Sequence, residues 1–186
     1  MFKSEFSGKT CLVTGGAGFI GSYLVEELIA NGANVKIIDN LSVTKENVNL
    51  LSKLGAVIFE NDICNYEKIK DIFQGIDYVF HLAAMNRAQR SIENPIKSND
   101  ININGTLNCL HLSHLNNVGK FIFVSSSSVY KGAEDVSLKE GMFLEPLHPY
   151  GIGKLAGEHY CRVYNNLFNL TENFLDPKIL SFIFCL

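Results

Sequence analysis

Short apolar runs rich in β-branched residues recur along the chain and alternate with stretches of helical length. That alternation predicts βαβ units around a parallel sheet buried on both faces. The predicted strands are residues 10–14, 35–39, 56–60, 78–82 and 120–125. Residues 19–31 set Ile20, Leu24 and Leu28 on one helical face, and 45–54, 66–73 and 96–116 are further predicted helices. Gly32, Gly55, Gly75 and Gly119 stand just ahead of the next strand, where a helix-terminating glycine belongs. A right-handed crossover at each unit gives an α/β fold, an open, doubly wound parallel sheet with helices on both faces.

Composition narrows the class of partner. Of 186 residues, 47% are hydrophobic and 19% charged, enough for one globular core and too apolar for disorder. Sixteen Lys and Arg against nineteen Asp and Glu leave a formal charge of −3, with no basic stretch that could track a phosphate backbone, so nucleic acid is not an expected partner. The longest apolar run, 179–186, falls far short of the roughly 20 residues a membrane helix needs, and residues 1–10 hold no signal-peptide core. A cytoplasmic protein without a membrane partner is therefore expected. The five cysteines are widely spaced and contain no Cys-x-x-Cys, which predicts reduced thiols and no zinc or other metal site.

The candidate chemistry begins directly after the first strand. Gly15, Gly18 and Gly21 form Gly-x-x-Gly-x-x-Gly at a strand-to-helix turn, a pyrophosphate cradle. The first glycine permits the turn, the second lets phosphates approach, and the third lets helix pack on strand. Phe19 and Ile20 open the helix behind it. Asp39 ends the second strand, where a carboxylate can bind the adenosine ribose hydroxyls and repel a 2′-phosphate, favouring NAD over NADP. With Asn40 it is equally good turn chemistry. Asp62 follows the third strand and could reach an adenine amino group or cap a helix.

Tyr150 and Lys154 stand four apart on one helix, so that an ammonium beside the phenol would favour its ionised form and make it a base. The same spacing also occurs where a Tyr–Lys pair merely packs. Ser125 to Ser128 place hydroxyls at the carboxyl edge of the fifth strand, either to bind a reacting hydroxyl or as a polar loop exit. His111 and His114 lack a third ligand cluster, so they read as helix-surface positions. His81 ends the fourth strand and shapes the cofactor bed, and His148 and His159 form no Ser-His-Asp set.

Taken in order, the glycine loop, Asp39-Asn40-Leu41-Ser42, Asp62-Ile63, His81-Leu82-Ala83-Ala84, Asn102-x-x-Gly105-Thr106, Ser125 to Tyr130 and Tyr150-x-x-x-Lys154 resemble the extended short-chain dehydrogenase/reductase family. The likeness spans residues 10–168 and is similar in particular to the NAD-dependent sugar-nucleotide epimerase/dehydratase group. Asp39 to Ser42 and Arg90-Ser91-Ile92-Glu93-Asn94-Pro95 look like UDP-hexose or UDP-N-acetylhexosamine 4-epimerases. The resemblance implies a Rossmann fold and NAD as cofactor. It implies that Gly15, Gly18 and Gly21 hold the pyrophosphate, Asp39 and Asn40 the ribose side, Asp62 and Ile63 the adenine, and Leu82, Ala83, Ala84 and Asn102 the remaining cofactor bed. It implies Ser126 as catalytic hydroxyl, Tyr150 as base and Lys154 as nicotinamide-ribose ligand that lowers the phenol pKa. The implied reaction removes the proton of the sugar 4-hydroxyl, moves hydride to NAD⁺, rotates the 4-keto sugar and returns hydride to its other face.

Three departures qualify the likeness. Ser127 and Ser128 follow Ser126 where dehydratases and decarboxylases of the family normally carry an acid, which disfavours those reactions and a simple reductase stays open. Lys131 separates Tyr130 from Gly132 where the family has glycine directly. Family members continue into a sixth strand and a C-terminal domain that grips the nucleotide sugar, whereas residues 171–186 match none of it. The expected organisation is thus an NAD-binding domain over 1–170 and a divergent tail over 171–186, with no turnover of a UDP-sugar by this chain alone. A catalytically idle NAD-binding module is the alternative, and a homodimer is one assembly left open.

Overall fold

The computed structural model describes residues 5–130 and 142–168. Five parallel strands, β1 (Thr10–Thr14), β2 (Asn34–Asp39), β3 (Val57–Glu60), β4 (Tyr78–His81) and β5 (Lys120–Phe123), form one sheet in the order β3-β2-β1-β4-β5. The reversal of strand order at β1 and β4 opens a crevice at their carboxyl ends, the place where open α/β sheets bind ligands. All five strands match their predicted positions to within two residues, and the doubly wound parallel architecture is as expected.

Side-chain alternation along each strand divides the core into two layers. Cys11, Val13, Val35 and Ile37 face Val25 and Leu28 of α1 (Phe19–Ala30) and Leu51 of α2 (Val48–Lys53). Leu12, Ile38, Val79, Phe121 and Phe123 pack with Ile69 of α3 (Tyr66–Ile69), with Ile72 and Phe73 of the 3-10 turn that continues it (Lys70–Phe73), and with Cys109, Leu110 and Leu112 of α6 (Thr106–Leu115). Each such fully buried apolar side chain stabilises the fold by roughly 1.5–3 kcal/mol. The buried face of α1 is Gly21, Ser22, Val25 and Leu28, not the predicted stripe through Ile20, which is 44% exposed. The stripe is displaced because Gly21 must approach the preceding turn.

The predicted helix 96–116 is three elements. They are α5 (Pro95–Asn99), a π-helical turn (Asp100–Gly105) and α6. The wide turn carries Asn102 into the interior at 2% exposure, and Gly105 admits Ile63, whose Cδ1 would lie 2.6 Å from a Cβ there. A short α4 (Ala88–Glu93) precedes α5 and has no counterpart in the predicted elements. The long α7 (Pro149–Phe168) crosses the same face as α6 and brings its first turn to the carboxyl end of β5. Cys11, Cys64, Cys109 and Cys161 are free thiols. Lys131, Gly132 and residues 171–186 lie outside the described residues.

Candidate active site

The glycine loop is shaped by close approaches that only hydrogen at Cα permits. Gly15 has φ +71°, and a Cβ there would lie 2.8 Å from the Ala83 nitrogen. A Cβ on Gly21 would collide with the Gly15 carbonyl. Gly18 differs: a Cβ there would meet a single atom, the Gly15 carbonyl oxygen at 3.3 Å. It stands open as the N-cap of α1, whose start no side chain caps. The first-turn amides of α1, beginning at Phe19, Ile20 and Gly21, therefore remain for an anion, and the helix dipole favours one. The Phe19 and Ile20 side chains are exposed and apolar, so the polar groups these residues offer such a site are their backbone amides.

Asp39 makes the turn that its sequence context predicts and also ties β2 to the glycine loop. One carboxylate oxygen accepts the Leu41 amide at 2.9 Å, a turn of the Asp-x kind, and the other accepts the Ala17 amide of the glycine loop at 3.0 Å. Asn40 donates from its side chain to Asp62 at 3.0 Å, and the other Asp62 oxygen accepts the Cys64 amide at 2.9 Å. Burial acts to raise the Asp62 pKa, yet the Cys64 amide, the Asn40 side chain and the Lys97 charge together hold it below the ordinary carboxylate value. The N-cap of α3 is Asn65, which accepts the Lys68 amide, so the helix-cap reading of Asp62 is corrected: Asp62 closes the turn before it. The Ile63 side chain is buried, and the Ile63 backbone carbonyl accepts from Asn108 Nδ2 at 3.0 Å.

Leu82, Ala83 and Ala84 leave β4 half-buried beside the loop, with the Leu82 amide donating to the Thr14 carbonyl at 3.0 Å. Asn102 fixes the continuation. Its Oδ1 accepts the Met85 amide at 2.8 Å and its Nδ2 donates to the Met85 carbonyl at 3.2 Å.

Tyr150 is the second residue of α7, half-buried, and hydrogen-bonds the Ser126 hydroxyl. Ser126 also accepts the Ser128 amide at 3.2 Å, which opens the 3-10 turn Ser127–Val129 and fixes its hydroxyl at the end of β5. Lys154 is 4% exposed; its Nζ donates to the Val124 carbonyl at 2.7 Å and lies 5.9 Å from the Tyr150 ring centre. Burial pushes the Lys154 pKa down to about 8. Burial also raises the Tyr150 phenol above its ordinary value, with the Ser126 hydrogen bond acting the other way. In the chain on its own, desolvation of the phenolate outweighs the stabilising contact, and the Lys154 nitrogen is turned to a backbone carbonyl; the lowered phenol pKa expected from Lys154 together with a cationic nicotinamide concerns the cofactor-bound site.

The glycines between Tyr150 and Lys154 explain the approach. A Cβ on Gly151 would collide with the Ser128 carbonyl, and one on Gly153 would lie 2.6 Å from the Asn102 Cβ. Two glycines in one helical turn cost about 1 kcal/mol each, which the seating of α7 on β5 and the π turn must offset. Sequence reasoning missed Glu158, which accepts the Ser125 hydroxyl from the next turn of α7, and it missed the His148 ring, which accepts the Gly151 amide at 3.2 Å. A carboxylate four residues beyond Lys154 was the available signal. His111 and His114 pack on Tyr164 and Phe168, and no group of three metal-ligating side chains exists among the described residues.

Comparison with known proteins places this geometry. The family model described as NAD dependent epimerase/dehydratase matches residues 11–175. A candidate UDP-glucose 4-epimerase of Methanocaldococcus jannaschii is 40% identical over 162 residues, 86% of this chain and 52% of that protein. The UDP-N-acetylglucosamine 4-epimerase from Methanobrevibacter ruminantium in complex with UDP-N-acetylmuramic acid superposes with a TM-score of 0.81 at 36% identity, over 88% of this chain and 52% of that one. The Thermus thermophilus UDP-glucose 4-epimerase in complex with NAD gives 0.79 at 34%, over 86% and 52%. The chain spans about half the length of the relatives it matches. With the family model covering most of the sequence, the chain belongs to the NAD dependent epimerase/dehydratase family.

Proposed function

We propose that this chain is the dinucleotide-binding part of an NAD-dependent nucleotide-sugar 4-epimerase, acting at C4 of a UDP-hexose or UDP-N-acetylhexosamine. The observation that carries the reading is the convergence of Ser126, Tyr150 and Lys154 at the same sheet edge as the glycine loop and Asp39. The names of the relatives, 4-epimerases of UDP-sugars, support the substrate class. The site fits NAD: Gly18 leaves room where a Cβ would obstruct a pyrophosphate, uncapped amides face it, and the Asp39 carboxylate ends β2 without an arginine to pair a 2′-phosphate.

Gly15, Gly18 and Gly21 with the first turn of α1 would hold the pyrophosphate, Asp39 and Asn40 the ribose side, Asp62 and Ile63 the adenine, and Leu82, Ala83, Ala84 and Asn102 the rest of the bed. NAD, when bound, takes a hydride from the sugar and gives it back. Tyr150 accepts the proton of the 4-hydroxyl and later returns it, with Ser126 holding both the phenol and that hydroxyl. Lys154 binds the nicotinamide ribose and supplies the charge that favours the phenolate once its nitrogen leaves the Val124 carbonyl. The domain is residues 1–170, and the substrate's nucleotide is gripped largely by residues outside it.

Free cysteines support a reducing cytoplasmic location, and no described helix is long and apolar enough to cross a membrane. Exposed Ile152, Val163 and Leu167 along α7 support a homodimer. A second reading, an NAD-binding module without turnover, is favoured by the Lys154 nitrogen, which is turned to the Val124 carbonyl, and by the raised pKa of the Tyr150 phenol. Titration of the purified chain with NAD, then a C4 epimerisation assay with a panel of UDP-sugars in an assembly that also supplies the substrate-gripping residues, separates the two. Binding without interconversion favours the module, and no NAD binding at millimolar concentration removes both.

A further inference from the structure

One directed chain of hydrogen bonds runs under the carboxyl edge of the sheet. The parallel register sets Thr14 beside His81, and Thr14 Oγ1 lies 2.8 Å from His81 Nδ1. Across the ring, His81 Nε2 lies 3.0 Å from Thr106 Oγ1. The Thr106 hydroxyl has one proton and donates it to the Asn102 carbonyl at 2.9 Å, because a carbonyl only accepts. Thr106 therefore meets the imidazole as an acceptor, so Nε2 carries the ring proton. In a neutral imidazole Nδ1 is then the acceptor, and the Thr14 hydroxyl donates to it. The Ala83 amide closes the series by donating to Thr14 Oγ1 at 3.2 Å. The opposite tautomer would draw the Thr106 proton to Nε2 and leave the Asn102 carbonyl without it.

The surroundings keep the ring neutral. His81 is 0% exposed and stacks on Phe121 and Phe123, with ring centres 5.6 and 5.9 Å away. Burial, and after it the charge of Lys154, whose Nζ sits 4.8 Å from the Phe123 ring centre, push the His81 pKa down to about 3. The ring reaches no ligand, yet it stands between two elements that do. Thr14 ends the strand that feeds the glycine loop. Asn102 holds the Met85 backbone with its side chain and takes α7 against its Cβ through Gly153.

We propose that His81 is a positioning residue, a neutral Nε2–H imidazole that holds the end of β1 and the π-helical turn in register and so aligns the glycine loop with the Ala83 to Met85 bed. Its effect on cofactor binding rests on the NAD reading above, whereas its tautomer rests on the hydrogen bonds alone. A buried ring with polar partners on both sides converts strand register into the position of the backbone that follows β4.

Long-range proton–nitrogen spectra of the chain labelled at histidine nitrogen read the tautomer directly. The resonance lost in His81→Phe should carry its proton on Nε2, exchange slowly, and stay unchanged from about pH 5 to 8, where exposed histidines titrate. A proton on Nδ1, or titration in that range, overturns the proposal. Thr106→Val keeps the shape and removes the acceptor. The proton should then move to Nδ1, where Thr14 can accept it, and a proton that stays on Nε2 counts against the relay. Thr106→Val should also shift the Ala83 and Met85 amides and weaken NAD binding about tenfold, the scale of one lost buried hydrogen bond. Unchanged amides with unchanged affinity overturn the positioning role. If the unmodified chain binds no NAD, the cofactor reading fails, and the tautomer switch and amide shifts still decide this proposal.

Discussion

The Asp39 carboxylate at the end of β2 accepts the Ala17 amide from inside the glycine loop at 3.0 Å. One side chain thus joins the end of β2 to the glycine loop, and on the proposed reading it sets a negative charge where a 2′-phosphate would lie. NAD is expected to bind about tenfold or more tighter than NADP. Asp39→Ala should remove most of that preference and loosen the loop. Equilibrium titration of both cofactors checks it, and equal affinities in the unmodified chain would sink the role given to Asp39.

Much of this was legible from spacing alone, and the reasons for the rest are physical. The strands could be read because a parallel sheet buried on both faces needs continuous apolar runs, and the glycine loop and Tyr150–Lys154 pair because they depend on local spacing. The break in 96–116 was invisible: the contact that goes with the π turn, Gly105 packed closely on Ile63, joins positions far apart in sequence. The Lys154 partner, a Val124 carbonyl, leaves no signature because every residue has one. The His81 relay needs the β1–β4 register, which is a property of the sheet.

Tyr150→Phe should leave NAD affinity nearly unchanged and lower turnover, in whatever assembly turns over, by about 10²–10⁴-fold, the scale of a lost general base. Lys154→Met should weaken both. In the chain without cofactor the Tyr150 phenol should titrate above its ordinary value, and Ser126→Ala should raise it further, because the Ser126 hydrogen bond is the contact that lowers it. Ultraviolet titration of the tyrosines, with Tyr150→Phe as the difference control, measures this. A phenol already titrating below 10 without cofactor would contradict the burial argument.

Stability should fall on both sides of neutrality, with a named group on each flank. Below about pH 6.5 the unfolded chain protonates His81 while the folded chain refuses the proton until about 3, so stability present above 6.5 is lost as pH falls. Above about pH 9 the unfolded chain releases the protons of Cys11 and Cys161, which burial holds in the folded chain to about 12, so stability is lost as pH rises. Lys154 works against that loss: its pKa is pushed down to about 8, so between there and 10.5 the unfolded chain binds more protons and stability gains with pH. Denaturant melts of Lys154→Met should therefore show a steeper alkaline fall than the unmodified chain. A shallower fall would mean that the buried nitrogen is not depressed.

The second and third glycines of the loop should separate folding from binding. A Cβ on Gly21 collides with the Gly15 carbonyl and lies 2.7 Å from the Gly16 Cα, and backbone cannot swing aside as a side chain can. Gly21→Ala should cost at least about 1–3 kcal/mol of stability, the scale of overpacking, and lose NAD binding with it. Gly18 has φ −70° and ψ 178°, extended backbone that alanine adopts freely, and its Cβ would meet one oxygen at 3.3 Å. Gly18→Ala should therefore melt within about 1 kcal/mol of the unmodified chain and yet bind NAD at least about tenfold more weakly, because the methyl group stands where the pyrophosphate must come closest. Thermal melts paired with NAD titration on both variants test the division. If Gly18→Ala binds NAD as tightly as the unmodified chain, the phosphates do not approach the helix at this position, and the assignment of the loop as their cradle fails.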